Sequence, residues 1–433
     1  MGIQHLILPN GLTIIGEPKP SAHSMAGGFF VKTGSRDEWN EVAGVSHFLE
    51  HMMFKGTDRR SGEDVNREFD EIGAQYNAFT SEENTVYYGA VLPEFQGRLL
   101  DILSDMMRPA LRGDDFDLEK NVILEEIALY QDRPQHVAFD LLREVFFRRH
   151  PLGNSVLGST QSVGGLQRDQ MQDYFNRRYV PDNMTFTIVG SYDWDAALDL
   201  IQQRCAHWEP AAATRSHPPV ASSPSTHVVT NPKLARAHVA FASPGVSAQD
   251  ARHRAADVLS DVIGGSRGSR LYWALVEPGL ADVAQVFHDE GDQGGWFGAY
   301  ISCDPTRAEE VRARCVDILQ EACASGIREE EVARVTRKGA SAHVIRGETP
   351  MGRLTSVGFD WMYRGEVESV DEEADAYLRI TAEDCNSLLK EFPFDKLTTV
   401  VLGPIQPTLS PVAPAPGVSV DSQDAQAQDE FEG

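Results

Sequence analysis

Long apolar runs, paired cysteines and a surplus of positive charge are all missing from this 433-residue sequence. No window approaches the roughly 18 apolar residues that suggest a membrane span, and residues 1–11 lack the charged region and apolar stretch of a secretory leader. A soluble, cytoplasmic protein without membrane contact is expected. The five cysteines, Cys205, Cys303, Cys315, Cys323 and Cys385, are odd in number and form no CxxC pair, which argues against a disulfide framework and for a reducing compartment. Lys and Arg total 39 against 65 Asp and Glu, a net charge of −26 that repels phosphate backbones and sets nucleic acid aside as a partner. The same acidity serves solubility and favours basic peptides, and charge alone does not choose between the two. With 36 Gly and 23 Pro the chain is neither collagen-like nor low in complexity; 41% hydrophobic and 24% charged residues describe a globular protein, whose length suggests two to four domains.

What is present has a clear order. Two short apolar stretches flank Pro9-Asn10-Gly11, a hairpin signal, and residues 25–31 offer a further strand. Helical spacing of apolar residues predicts helices over 43–53, 62–72, 94–107, 116–131, 138–149, 168–178 and 193–207, with strand-like segments at 74–92 and 183–189. Residues 209–226 are rich in Pro, Ala and Ser without periodicity and read as a linker. Beyond it the order repeats: strands near 237–242, 283–288, 296–303 and 397–403, and helices over 250–263, 306–325, 328–346 and 351–364. The expected fold is α+β, with two homologous α/β-sandwich halves, each a mostly antiparallel sheet with helices packed on one face. The expected domains are residues 1–218, residues 219–410 and a disordered tail over 411–433.

The segment carrying chemistry runs from Gly44 to Thr57 and contains His47-Phe48-Leu49-Glu50-His51. On a helix, residues four apart project from one face, so His47 and His51 can reach one cation, with Glu50 between them in sequence and on the same side of the helix. Two neutral imidazoles suit zinc, a third ligand must come from elsewhere, and a carboxylate is the natural candidate. Such a metal would lower the pKa of its water, with Glu50 accepting the proton during attack on a carbonyl: metal-assisted amide hydrolysis. A pair of half-buried histidines on one helix is the plain alternative. The other histidines, among them His136, His150, His207, His217, His227, His253, His288 and His343, lack ligand spacing and are expected in surface or core roles.

The sequence His-x-x-Glu-His is the inverzincin signature. Together with Gly34-Ser35-Arg36-Asp37-Glu38 upstream and Met52-Met53-Phe54-Lys55-Gly56-Thr57 downstream, it resembles the pitrilysin-type zinc peptidase family, in particular the branch containing mitochondrial processing peptidase. The resemblance spans about residues 3–405 and weakens after the linker. It implies that Gly73-Ala74-Gln75-Tyr76-Asn77-Ala78-Phe79-Thr80-Ser81 borders the active site, with Asn77, Ala78, Phe79 and Thr80 pairing with extended substrate. It further implies that the run Leu118 to Ile127 is the helix whose last acidic residue, Glu126, is the third zinc ligand, one Zn2+ per chain, and that Glu119 is functionally important. Helical geometry agrees that Glu119 and Glu126, seven apart, share a face, where Glu119 is expected either to assist proton transfer as a catalytic residue or to anchor a zinc ligand from behind, whereas Glu125 points about 100° away and reads as a solvated charge.

Self-sufficient members of the family carry an arginine and a tyrosine near the position of Gly279-Leu280-Ala281, which bind substrate and stabilise the oxyanion. In this chain Asp282 holds the tyrosine's place, and Leu275 or Val276, neither able to donate, holds the arginine's. Arg270 and Tyr272 precede the expected positions, and Gly264 to Arg270 lacks the ending of a phosphate loop. The resemblance therefore implies a zinc-dependent endopeptidase acting on extended peptides in an enclosed chamber. Its partner is expected to be a zinc-free homologue that supplies the missing pair in a heterodimer, or else a second copy in a homodimer. The rival expectation is a noncatalytic structural or assembly subunit of the same fold.

Overall fold

A computed structural model describes residues 2–220, 224–265 and 267–405. The expected tail over 411–433 lies outside the described residues. The first half contains β1 (Gln4–Ile7), β2 (Thr13–Pro18), β3 (Met25–Val31), α1 (Val45–Met52), α2 (Gly62–Glu71), β4 (Gln75–Thr80) and β5 (Thr85–Val91). It continues with α3 (Gln96–Met106), α4 (Gly113–Gln131), α5 (Pro134–Phe147), α6 (Thr160–Gly165), α7 (Arg168–Arg178), β6 (Met184–Gly190) and α8 (Trp194–Cys205). The second half contains β7 (Ser225–Thr230), β8 (Ala237–Gly245), α9 (His253–Gly264), β9 (Ala281–Gly291), β10 (Gly294–Cys303) and α10 (Ala308–Ser325). After these come α11 (Glu329–Gly347), α12 (Pro350–Arg364), α13 (Val370–Leu378), α14 (Ala382–Glu391) and β11 (Thr398–Gly403). Among the described residues no helix is long and apolar enough to cross a membrane.

The expected α+β duplication is present in the topology. The first sheet has strand order β1-β2-β6-β3-β5-β4 and the second β7-β11-β8-β10-β9, so that β2, β6, β3, β5 and β4 match β7, β11, β8, β10 and β9. In each sheet the last strand of the half enters beside the first of these as a parallel neighbour, β2 with β6 and β7 with β11; the remaining pairs are antiparallel. Each half buries one face of its sheet against its own helices.

The other faces are covered by exchange. Leu354 and Val357 of α12 pack on Ile15, Ala26, Phe30, Val86 and Val189 of the first sheet, while Leu142, Phe146 and Phe147 of α5 pack on Ala240, Ala242, Trp296 and Val400 of the second. Each fully buried aliphatic or aromatic side chain contributes roughly 1.5–3 kcal/mol, so the two helices bind the halves strongly. Gly358 permits the approach of α12, because a Cβ there would stand 2.4 Å from the Phe30 ring. Arg353, also on α12, is fully buried and pairs with Glu17 of β2 at 2.5 Å and with Glu373 at 2.7 Å.

The segment between the halves is not a free tether. Arg215 pairs with Asp37 at 2.6 Å and Asp292 at 3.3 Å, Arg178 donates to the Thr214 carbonyl, and Arg36 donates to the Ser216 carbonyl. Lys32 and the Arg36–Glu83 pair complete this charged junction, where the β4–β5 and β9–β10 hairpins meet. Its composition gave no periodicity to read, yet buried ion pairs anchor it, and β7 begins at Ser225 inside the span expected to be linker.

Candidate metal centre

Helix α1 starts at Gly44, whose φ of +91° suits glycine and whose lack of a side chain leaves the helix amides uncapped locally. Glu38 caps them from outside, accepting the N–H groups of Gly44 at 2.7 Å and Ser46 at 2.8 Å. Burial pushes the Glu38 carboxyl up to about 8 against the pull of these two bonds. The run Gly34 to Glu38 thus acts structurally: Arg36 and Asp37 enter the junction, and Glu38 fixes the start of α1.

From that start His47 and His51 project together, their ring centroids 4.8 Å apart. Helix α4 packs against α1 and brings Glu126 Oε2 to 3.7 Å from His47 Nε2 and 3.5 Å from His51 Nε2. One donor atom from each of the three residues lies within 4.8 Å of the others, and no further group of this kind occurs among the described residues. Ligands about 2.1 Å from zinc at tetrahedral angles stand about 3.4 Å apart, close to both carboxylate separations. Burial, and then the neighbouring His51, lowers the pKa of His47 to about 4, which leaves a neutral imidazole at pH 7. Its Nδ1 is buried without a partner, so the ring's polar chemistry rests on Nε2, the atom facing Glu126. Two neutral nitrogens and a carboxylate oxygen are a donor set that fits zinc with a position left open.

Around these three the remaining groups are specifically held. Glu119 Oε1 accepts from His51 Nδ1 at 2.8 Å, and Glu119 Oε2 pairs with Lys55 Nζ at 2.5 Å. Burial raises the Glu119 pKa, but the bonds from His51 and Lys55 outweigh it and the net shift is downward. Burial lowers His51, while the Glu119 bond and the charges of Glu50, Glu126 and Glu119 raise it, with a net upward shift. Glu50 Oε2 accepts from the Thr80 hydroxyl at 2.6 Å. Burial, reinforced by Glu126, raises the Glu50 pKa from its ordinary value, against the Thr80 bond and the His51 charge. Glu125 is exposed, as its angle on the helix implied.

Two family models match the chain: Insulinase (Peptidase family M16) over residues 13–160 and Peptidase M16 inactive domain over residues 165–338. An uncharacterized zinc protease of Mycobacterium tuberculosis is 32% identical over 412 residues, covering 92% of each chain. The chain belongs to peptidase family M16. The uncharacterized zinc protease YmxG of Bacillus subtilis is 28% identical over 405 residues, covering 93% of this chain and 98% of the relative. Among solved structures, a protease from Helicobacter pylori superposes with a TM-score of 0.87 at 20% identity, covering 93% of this chain and 99% of that one. A structure described as the peptidase M16 inactive domain from Pseudomonas fluorescens also gives 0.87, at 16% identity and with 93% and 98% covered. These likenesses carry the fold of an M16 peptidase through both halves.

For this M16 chain the four strand residues named from the resemblance divide by face. Strand β4 pairs only with β5 among the described strands, so its other edge is free. Thr80 turns toward Glu50, whereas the Phe79 ring turns to the opposite face against Tyr88 and Phe359 of α12. Ala78 donates its N–H to the Asn77 side-chain oxygen at 2.9 Å. In the second half Arg270 is engaged by Glu331 and the Gly326 carbonyl, and Tyr272 donates to Glu277 at 2.7 Å. Leu275 is buried and Asp282 pairs with Arg236, so the described residues place no arginine or tyrosine where Leu275, Val276 and Asp282 stand. Sequence reasoning missed the bond from Thr80 to Glu50 and the partner of Glu119, although Lys55 lies at i+4 from His51.

Proposed function

We propose that this M16 peptidase is a zinc-dependent endopeptidase that hydrolyses extended peptides, with His47, His51 and Glu126 holding one Zn2+. The observation that carries the reading is Glu50: it stands in the turn between two histidines that converge with Glu126, and Thr80 of a free strand edge holds its carboxylate. Bound zinc supplies a Lewis acid that brings the pKa of its water toward neutrality. Glu50, raised by burial, takes a proton from the attacking water and delivers it to the leaving amine. Glu119 holds the His51 ring through Nδ1. An extended peptide adds to β4 through the main chain of Asn77, Ala78, Phe79 and Thr80, in place of the bond within the strand from Ala78 to Asn77.

The side chains of His51 and Glu126 remain about a quarter exposed (26% and 27%), so closure into a chamber needs a second body. With Leu275, Val276 and Asp282 at the positions of the oxyanion donors, we assign that role to a zinc-free homologue in a heterodimer, with a second copy as the alternative. The acidity of the chain favours basic peptides.

The test is hydrolysis of a fluorogenic peptide library by the purified chain, with zinc measured on the same sample and Glu50→Gln as control. Zinc retained and turnover abolished in the control is expected of an active preparation; turnover surviving in Glu50→Gln removes the base assignment. Zinc without turnover in the parent chain, followed by turnover on adding the homologous subunit, supports the heterodimer.

A further inference from the structure

We propose that Lys55 is a positioning residue of the metal centre, its ammonium fixing the Glu119 carboxylate that in turn fixes the His51 ring. The inference rests on the zinc reading above and concerns a residue outside the His-x-x-Glu-His motif.

The placement follows from chain geometry. Helix α1 ends at Met52, and Met53–Lys55 continues it as one tighter turn. Lys55 therefore takes the next i+4 step after His47 and His51. Against this line stand Glu126 and Glu119 of α4, seven residues and nearly two turns apart. The two helices meet in two rungs: Glu126 faces both imidazoles, and Glu119 bridges His51 Nδ1 at 2.8 Å to Lys55 Nζ at 2.5 Å. The turn is also clamped by its backbone, because Arg112, the residue before α4, donates to the carbonyls of Lys55 at 3.3 Å and Thr57 at 2.6 Å.

The Glu119 side chain is only 5% exposed, and His51 and Lys55 are its two polar partners here. Each oxygen is thus committed to one donor, which sets the direction of the lone pair offered to His51. With Nδ1–H committed to Glu119, the lone pair of His51 lies on Nε2, facing Glu126. Deleting the ammonium leaves Oε2 without a partner in a buried site and frees the carboxylate to rotate away from the ring. Charge points the same way. A divalent ion and Lys55 together balance Glu50, Glu119 and Glu126, and without Lys55 the buried Glu119 carboxylate loses its cation, which is costly.

The experiment measures zinc affinity of the full chain by competition with a chelator, for the parent, Lys55→Met, Lys55→Arg, Glu119→Gln and the double variant Lys55→Met/Glu119→Gln. Thermal melts of the zinc-free proteins check folding, and Lys55→Gln replaces Lys55→Met if the latter does not fold. Expected are a loss of about 10–100-fold in zinc affinity for Lys55→Met, the usual range for a residue that orients a ligand, recovery of most of it in Lys55→Arg, and a double variant no weaker than Glu119→Gln alone. A parent that binds zinc while Lys55→Met binds it within twofold overturns the inference and leaves the proposed function standing, as does a double variant whose losses simply add. A parent that binds no zinc overturns both, and that result is visible before any variant is made.

Discussion

In the first half, α1 and α4 face each other through His47, His51, Glu119 and Glu126; in the second, α9 and α11 hold the same places in the element order and pack against each other without such a cluster. Counted along two helices of 19 residues each, Glu119 and Glu126 correspond to Val335 and Ala342. Helix α9 repeats the motif's spacing with Asp257, Ser260 and Asp261, but Asp257 is taken up by His288 at 3.1 Å and the Tyr377 hydroxyl at 3.2 Å, and burial raises the pKa of Asp261. Strand order is the same in both halves, so the fold does not specify the chemistry. A few polar residues on one helix pair distinguish the halves: of the two positions matched to Glu119 and Glu126, Val335 is buried in the second core and Ala342 is exposed.

The largest effect that tests this contrast is chemical. Glu126→Ala is expected to strip zinc from the chain and lower peptide turnover by at least about 10³-fold, the scale on which catalytic groups act, while Ser260→Ala leaves both zinc content and turnover unchanged. A loss of turnover in Ser260→Ala would break the division of labour. Next comes the ion pair that crosses the halves: Arg353→Ala leaves Glu17 and Glu373 buried without their cation and should cost about 3–5 kcal/mol in denaturant unfolding. The exchanged helices offer a matched pair of somewhat smaller effects. Leu142→Ala on α5 and Leu354→Ala on α12, both fully buried, are expected to cost about 2–5 kcal/mol each, and a variant that unfolds in two separate transitions would show that the halves are less coupled than their packing indicates.

The smallest effect compares two carboxylates that cap helices. Glu331 at the start of α11 accepts the Arg328 N–H, and although burial opposes it, Arg270 and Arg328 hold its pKa down to about 2. Its stabilising contribution is present above the ordinary value near 4.5 and fades as pH falls toward 2. Glu38, raised to about 8, has the opposite sign: its contribution is present below 4.5 and is lost as pH rises through 8. Urea midpoints measured from pH 5 to 9 should therefore fall more steeply for the parent than for Glu38→Gln, and parallel curves would contradict the assignment.

Much of this was legible in the sequence because it is local. Met25–Val31 and Arg168–Arg178 coincide with their expected spans, and His47 with His51 is a matter of spacing along one helix. Helices α13 and α14 escaped because Val370–Leu378 and Ala382–Glu391 are short and acid-rich, each burying only a few side chains, among them Tyr377, Cys385 and Leu388. Their capping boxes, Ser369 with Glu372 and Thr381 with Asp384, were the signal that marks them. Strand β7 escaped because its six residues adjoin a Pro- and Ser-rich stretch and gain their identity only by pairing with β11. At the candidate metal centre Glu126 was expected only through a resemblance, and tertiary packing is what brings α4 against α1. The bond from Thr80 to Glu50 joins residues 30 apart, which no periodicity encodes.

The exchange of α5 and α12 also has a consequence for biosynthesis. A ribosome that has finished α8 has delivered every strand of the first sheet, yet the helix that covers its outer face, α12, begins only at Pro350. At about 5–20 residues per second, the nascent chain carries that bare face of Ile15, Ala26, Phe30, Val86 and Val189 for on the order of 10 s before the second half arrives to cover it.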